Sequence, residues 1–130
     1  MAKIAVIVEP DRDVGMGFAS DLAHLGMDSV IVGNLKQALV CIATMPADVV
    51  LVSGDVADGG AVKRLVRATR PGTAVILVAG AVDFDLIGAA IWQGAAECLV
   101  RPFGADLLEF KLQQTGVLDK VQQLESHAAG

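Results

Sequence analysis

The sequence predicts an α/β domain, a doubly wound sheet of five parallel strands in the order 2-1-3-4-5 with five helices. Five short runs rich in β-branched residues recur along the chain: KIAVIV, SVIV, DVVLVS, TAVILVAG and ECLV. Between them lie segments whose apolar residues return at helical spacing. The run DVVLVS is apolar on both faces, which suits a strand buried between two layers. Parallel neighbours need a crossover, and the intervening helices supply it with right-handed connections. A chain of 130 residues fits one domain, and that length favours five strands in this order over a six-stranded dinucleotide fold.

Each element has local support. KIAVIV opens the chain as the first strand, and DLAHL ends the following helix at Gly26, which suits a left-handed stop. After SVIV, Asn34 is placed to cap a second helix whose apolar positions are Leu35, Ala38, Leu39 and Ile42. DVVLVS then empties into the loop GDVADGG, ahead of a third helix carrying Leu65, Val66 and Ala68. RPG at 70–72 stops that helix before TAVILVAG. The fourth helix lies in DFDLIGAAIWQGAAE, with Ile87, Ala90 and Ile91 as its core stripe and Trp92 projecting away from it. ECLV follows, and the last helix starts near Gly104 and Asp106.

Composition excludes several classes. No apolar run approaches the roughly 18 residues needed to span a membrane, and MAKIAVIVEPD has neither the basic start nor the cleavage site of a signal peptide. A soluble, cytoplasmic protein is expected. A net charge of −5 argues against a nucleic-acid surface. Lys63, Arg64, Arg67 and Arg70 cluster on the third helix, where a solvated face accounts for them. Cys41 and Cys98 lack metal-ligand spacing and read as apolar thiols, and His24, near a helix end, suits terminal carbonyls better than a metal.

The 2-1-3-4-5 order makes strands one and three neighbours at the switch point, so the loops at their carboxyl ends share one pocket. The first loop brings Glu9 and Asp11, the third Ser53 and Asp55, the fourth Ala79 and Gly80, and the fifth Arg101 and Pro102. No nucleophile and base can be paired among them, so an enzyme is not expected. Arg101 is suited to grip a carboxylate with two hydrogen bonds.

The passage GAAECLVRPFGADLL, residues 94–108, resembles the Gly-Ala-x-x-aromatic-Leu-x-Lys-Pro-Phe passage of bacterial response-regulator receiver domains of the CheY-like type. KIAVIVEPD resembles that family's first strand and acidic turn, and PADVVLVS its third strand. The resemblance covers residues 3–114 and leaves 115–130 as a helical extension and tail. It implies a flavodoxin-like fold, a role in two-component phosphorelay signalling and a protein partner, either a histidine kinase or an output protein. It also implies a cis Arg101–Pro102 bond.

The family's phosphorylation pocket is only partly present. Glu9 matches one of the two adjacent acids that hold Mg²⁺ in the family, while Pro10 stands at the other and Asp11 is a substitute one position later. Ser53 stands where the family has its phospho-accepting Asp. Ala79 replaces the hydroxyl residue that senses the phosphoryl group, Arg101 replaces Lys, and Cys98 replaces the aromatic switch residue. A serine hydroxyl needs a base to attack phosphorus, and none is at hand. Glu9, Asp11 and Asp55 amount at most to a weak Mg²⁺ site, so no cofactor is expected. The pocket reads as a pseudo-receiver's, with Arg101 clamped to the acids.

Function then falls to a face. By resemblance the surface from helix four through strand five to helix five serves output and dimerisation, which singles out Trp92, Cys98, Phe103 and Phe110. Phe110, Val117, Val121 and Leu124 recur at helical steps, with Gln114 at the missing position, as a short homodimer seam would require. Two alternatives stand beside this reading. One is a Mg²⁺-dependent receiver phosphorylated at the displaced acid Asp55. The other is a binder of flavin or nucleotide, disfavoured because EPDRDVGMG is acidic where a phosphate-cradling loop belongs.

Overall fold

Alternation along the strands divides the apolar residues between two layers, and this division builds the molecule. The computed structural model describes residues 2–119. Strands β1 (Lys3–Val8), β2 (Met27–Val32), β3 (Val49–Ser53), β4 (Ala74–Ala79) and β5 (Glu97–Val100) form one parallel sheet in the order β2-β1-β3-β4-β5. Helices α1 (Arg12–His24), α2 (Leu35–Thr44), α3 (Ala61–Ala68), α4 (Phe84–Trp92) and α5 (Ala105–Gln114) cover it, and a 3₁₀ turn over Gly54–Val56 follows β3. The predicted order and the five helices are both present. β2 begins two residues before SVIV.

Ala5, Ile7, Val49, Leu51, Ile76 and Val78 point to one side of the sheet, where Leu22 of α1 and Leu108 and Leu112 of α5 meet them. Val6, Val8, Val50, Val52, Val75 and Leu77 point to the other, against Ala38 of α2, Val62 and Leu65 of α3 and Ala90 of α4. β3 and β4 are buried along their whole length because helices lie on both faces. Asn34 caps α2 by accepting the Gln37 N–H at 2.8 Å. Gly26, at φ +81°, ends α1 in the left-handed conformation, as its position in the sequence predicts. His24 Nδ1 lies 2.8 Å from the Ser20 carbonyl oxygen.

Three expectations need correction. Ile91 is 60% exposed, and the inward stripe of α4 is Leu86, Ile87 and Ala90. A helix turns about 100° per residue, which carries Ile91 to the margin of a stripe centred between Ile87 and Ala90. α3 buries Ala61, Val62 and Leu65, whereas Ala68, its last residue, is exposed. The extension of α5 into 115–119 does not form. Thr115 and Gly116 turn the chain, with Gly116 at φ +82°, the Leu118 N–H donating to the Leu112 oxygen at 3.1 Å, and Val117 buried in the α1–α5 core. Val117 therefore joins no dimer seam, and Val121 and Leu124 lie outside the described residues.

Candidate functional site

The carboxyl ends of β1, β3, β4 and β5 carry the residues singled out by sequence. Val8 pairs with Val52 in register, so the next residues, Glu9 and Ser53, leave adjacent strands side by side. Ser53 likewise pairs with Val78, which places Ala79 one step beyond it, and the Arg101 N–H donates to the Ala79 oxygen at 2.8 Å. The Arg101–Pro102 bond is cis.

Glu9 is a buried acid, 2% exposed. Its Oε2 accepts the Asp11 N–H at 3.0 Å, and its Oε1 lies 3.9 Å from Arg101 Nη1. This is the Arg–acid pairing expected from sequence, made at the outer limit of an ion pair and without the bidentate grip that guanidinium geometry permits. Ser53 is equally buried, and its Oγ accepts the Asp55 N–H at 3.3 Å, which caps the 3₁₀ turn. Its hydroxyl serves the backbone. Ala79 is fully buried and offers no polar group.

The acids outside β1 are committed elsewhere or stand apart. Asp11 is the N-cap of α1, its Oδ1 accepting the Asp13 and Val14 N–H groups at 3.0 and 3.3 Å. Asp55 is exposed on the 3₁₀ turn. Among the described residues no group of three or more His, Cys, Asp and Glu is disposed to hold a metal ion. The donor chemistry agrees: hard cations take several carboxylate oxygens, and here one buried carboxylate stands beside a neutral serine, a proline and an arginine. The weak site built from Glu9, Asp11 and Asp55 is therefore not assembled, and Mg²⁺ does not fit these residues.

The anticipated partner residues divide. Trp92 is 92% exposed and Phe110 is 48% exposed. Phe103 instead stacks on Phe18 of α1, with ring centroids 5.8 Å apart and planes within 3°, at the edge of the α1–α5 core. Cys98 is half-buried against the opposite core. Burial pushes its thiol above the usual value, with a smaller contribution from the charge of Glu97. Each is partly buried against a core cluster, Phe103 on the α1–α5 side and Cys98 on the other.

Several site residues escaped sequence reasoning. Asp83 Oδ2 accepts the Gly80 N–H at 2.9 Å and closes the β4–α4 loop, a turn signalled by Gly and Asp three residues apart. A side chain at Gly54 would put Cβ 3.0 Å from Leu86 Cδ2, so α4 leans directly on the β3 loop. Lys111 Nζ donates to Glu97 Oε1 at 2.8 Å and ties α5 to β5. That hydrogen bond is the main reason the Glu97 carboxyl lies below its ordinary range. Val82 in the β4–α4 loop, Phe84 and Ile91 of α4, Val100 of β5 and Leu107 of α5 are further exposed apolar residues.

A five-stranded parallel sheet in the order 2-1-3-4-5 with helices on both faces is the flavodoxin-like, doubly wound arrangement. No family model matches the chain. It is 25% identical over 122 residues to a protein of Rickettsia bellii described as a putative response regulator NtrX-like, a match covering 91% of this chain and 26% of that protein. The chain thus spans about a quarter of that relative's length. Its fold matches a response regulator from Thermotoga maritima with a TM-score of 0.77 and 21% identity, over 88% of this chain and 98% of that one. It also matches the receiver domain of the Pseudomonas aeruginosa sensor histidine kinase PA1611, solved with a magnesium ion in its active-site cleft (TM-score 0.76, 21% identity, 89% and 99% coverage). The chain thus has the fold of response-regulator receiver domains and is similar in sequence, over most of its length, to part of a response regulator. No helix of the described residues is long and apolar enough to cross a membrane.

Proposed function

We propose that the chain is a receiver domain of the response-regulator type that signals by protein–protein contact through α4, β5 and α5, without phosphorylation of an aspartate. The carrying observation is Ser53: the residue at the end of β3 is a buried serine whose Oγ is engaged with the Asp55 N–H at 3.3 Å. A phosphoaspartate forms by attack of a carboxylate on phosphorus, helped by a cation that neutralises the transferring oxygens. Ser53 supplies no carboxylate, and its neighbours do not suit the cation. Arg101, reaching toward Glu9, places a fixed positive charge where a phosphorylated domain would gain a negative one. The site is then held in one state by its own side chains. The effect passes to a partner through Trp92 and Phe110, the partner being a histidine kinase, an output protein or a second copy of the chain.

Intact mass after incubation with acetyl phosphate, with and without Mg²⁺, tests this. The expected result is no added phosphoryl group beside a receiver of ordinary acid composition that does label. Mg²⁺-dependent addition that disappears in Asp55→Asn would overturn the reading in favour of displaced chemistry at Asp55.

A further inference from the structure

We propose that the groove between α3 and α4 docks an acidic protein segment that carries an apolar side chain. This rests on the partner-binding reading above and names the chemistry recognised on the α3 side of Trp92. The sequence of α3 is AVKRLVRA: Ala61, Val62 and Leu65 face the core, which leaves Lys63, Arg64 and Arg67 pointing to solvent. None of these three cations takes part in the ion pairs formed among the described residues, which join Arg70 to Asp48, Arg101 to Glu9 and Lys111 to Glu97. An exposed basic face alone carries no meaning. What sets this one apart is its neighbour.

A groove of about 370 Å³ lies beside it, lined by Lys63, Val66, Arg67, Ala89, Trp92 and Gln93. That volume falls within the range of roughly 300–1,000 Å³ that binding sites occupy. Its walls are tied together. Gln93 Oε1 accepts the Lys63 N–H at 3.1 Å, so the end of α4 is fastened to the start of α3. Gly94, at φ +104°, lets the chain leave α4 so close to α3 that a Cβ there would lie 3.2 Å from Val66 Cγ1. The groove is thus built into the helix pair. Val66, Ala89 and Trp92 provide an apolar surface, of which Trp92 is 92% exposed, while Lys63 and Arg67 provide two cations one helical turn apart.

No acid lines the groove, although the chain as a whole carries a net charge of −5. The complement is therefore a segment with carboxylates for Lys63 and Arg67 and an aliphatic or aromatic side chain for Val66, Ala89 and Trp92. Nucleic acid suits it poorly, since a phosphate backbone needs a longer basic track than one eight-residue helix provides.

Panning a random dodecapeptide library against the full chain tests the proposal, with affinities of enriched peptides read from the emission of Trp92, the chain's single tryptophan. The expected peptides combine Asp or Glu with an apolar residue. They lose about tenfold or more in affinity to Lys63→Glu/Arg67→Glu and keep it with Lys63→Arg/Arg67→Lys. All of these substitutions are at exposed positions, and a thermal melt confirms that each variant folds. No enrichment, enrichment of non-acidic peptides, or binding insensitive to the charge reversal would overturn the groove assignment. Peptides lost in Phe110→Ala but not on charge reversal would also overturn it while leaving the α4–β5–α5 reading intact. A thymidine oligonucleotide binding more tightly than the peptides would overturn it in favour of nucleic acid.

Discussion

Arg101 Nη1 lies 3.9 Å from Glu9 Oε1, although the strands they follow, β5 and β1, are separated in the sheet by β4 and β3. The pair spans the strand ends that bear Ala79 and Ser53, and it joins a buried carboxylate to a guanidinium that is 35% exposed.

Glu9 and Arg101 should respond unequally to removal. Arg101→Met leaves a buried carboxylate with only the Asp11 N–H. Because the contact is long and partly screened, the expected cost is about 1–2 kcal/mol rather than the roughly 3–5 of a fully buried pair. Glu9→Gln retains an acceptor for the Asp11 N–H and leaves Arg101 to water, at a cost below about 1 kcal/mol. Urea denaturation of both variants checks the order, and a larger loss in Glu9→Gln would contradict it.

At residue 53 the two informative changes are Ala and Asp. Ser53→Ala removes the acceptor of the Asp55 N–H, with an expected loss of about 0.5–1 kcal/mol. Ser53→Asp sets a second carboxylate beside buried Glu9, so its melting temperature should fall without divalent cations and recover in part with Mg²⁺. The natural chain should show no Mg²⁺ shift. A comparable shift in both proteins would show that the native residues do hold the ion.

The Glu97–Lys111 contact makes stability pH-dependent. The hydrogen bond from Lys111 holds the Glu97 carboxyl below its ordinary 4.5, so folding favours its charged form. The contribution is complete above that ordinary value and is lost as pH falls through the lowered folded value. Thermal melts between neutral and acidic pH should show that Lys111→Met flattens this part of the curve. An unchanged acid limb would rule the contact out as its source.

Cys98 should alkylate slowly. Burial first, and the Glu97 charge second, raise its thiol above the usual range, which leaves little thiolate near neutrality. Mass-resolved iodoacetamide kinetics should place it behind an unstructured cysteine, with a modest gain in rate on Glu97→Gln. A rate equal to that of the unstructured thiol would contradict the assignment.

Trp92 and Phe103 should separate stability from surface. Trp92→Ala removes an exposed ring and should change stability by less than about 0.5 kcal/mol. Phe103→Ala breaks the stack on Phe18 and opens the edge of the core, for which about 2 kcal/mol is expected from a half-buried ring. Calorimetry distinguishes the two, and equal losses would mean that Trp92 is packed after all.

Much of the fold is legible in local pattern. The β-branched runs, the cap at Asn34, the stop at Gly26 and the break at RPG each act over a few residues, so the same physics operates in the isolated chain and in the folded one. The residue types of Ser53, Pro10, Ala79 and Arg101 at the strand ends are legible too, because they stand at a fixed place in that pattern. Burial is different, since it depends on what lies across from a side chain. Helical spacing puts Ile91 in the core stripe and Trp92 outside it, yet Leu86, Ile87 and Ala90 take the inward face and leave both exposed. Phe103 reads as a surface anchor until α1 brings Phe18 over it. Asp11 and Asp55 count toward a weak metal site by resemblance and ligand number, but the first caps the N-terminus of α1 and the second faces solvent. Val117 continues a helical repeat in one dimension, while in three dimensions Gly116 turns it into the core. Periodicity and capping are short-range properties of the chain; contact between strand ends, helices and rings brought together from distant positions arises only when the sheet closes its two layers.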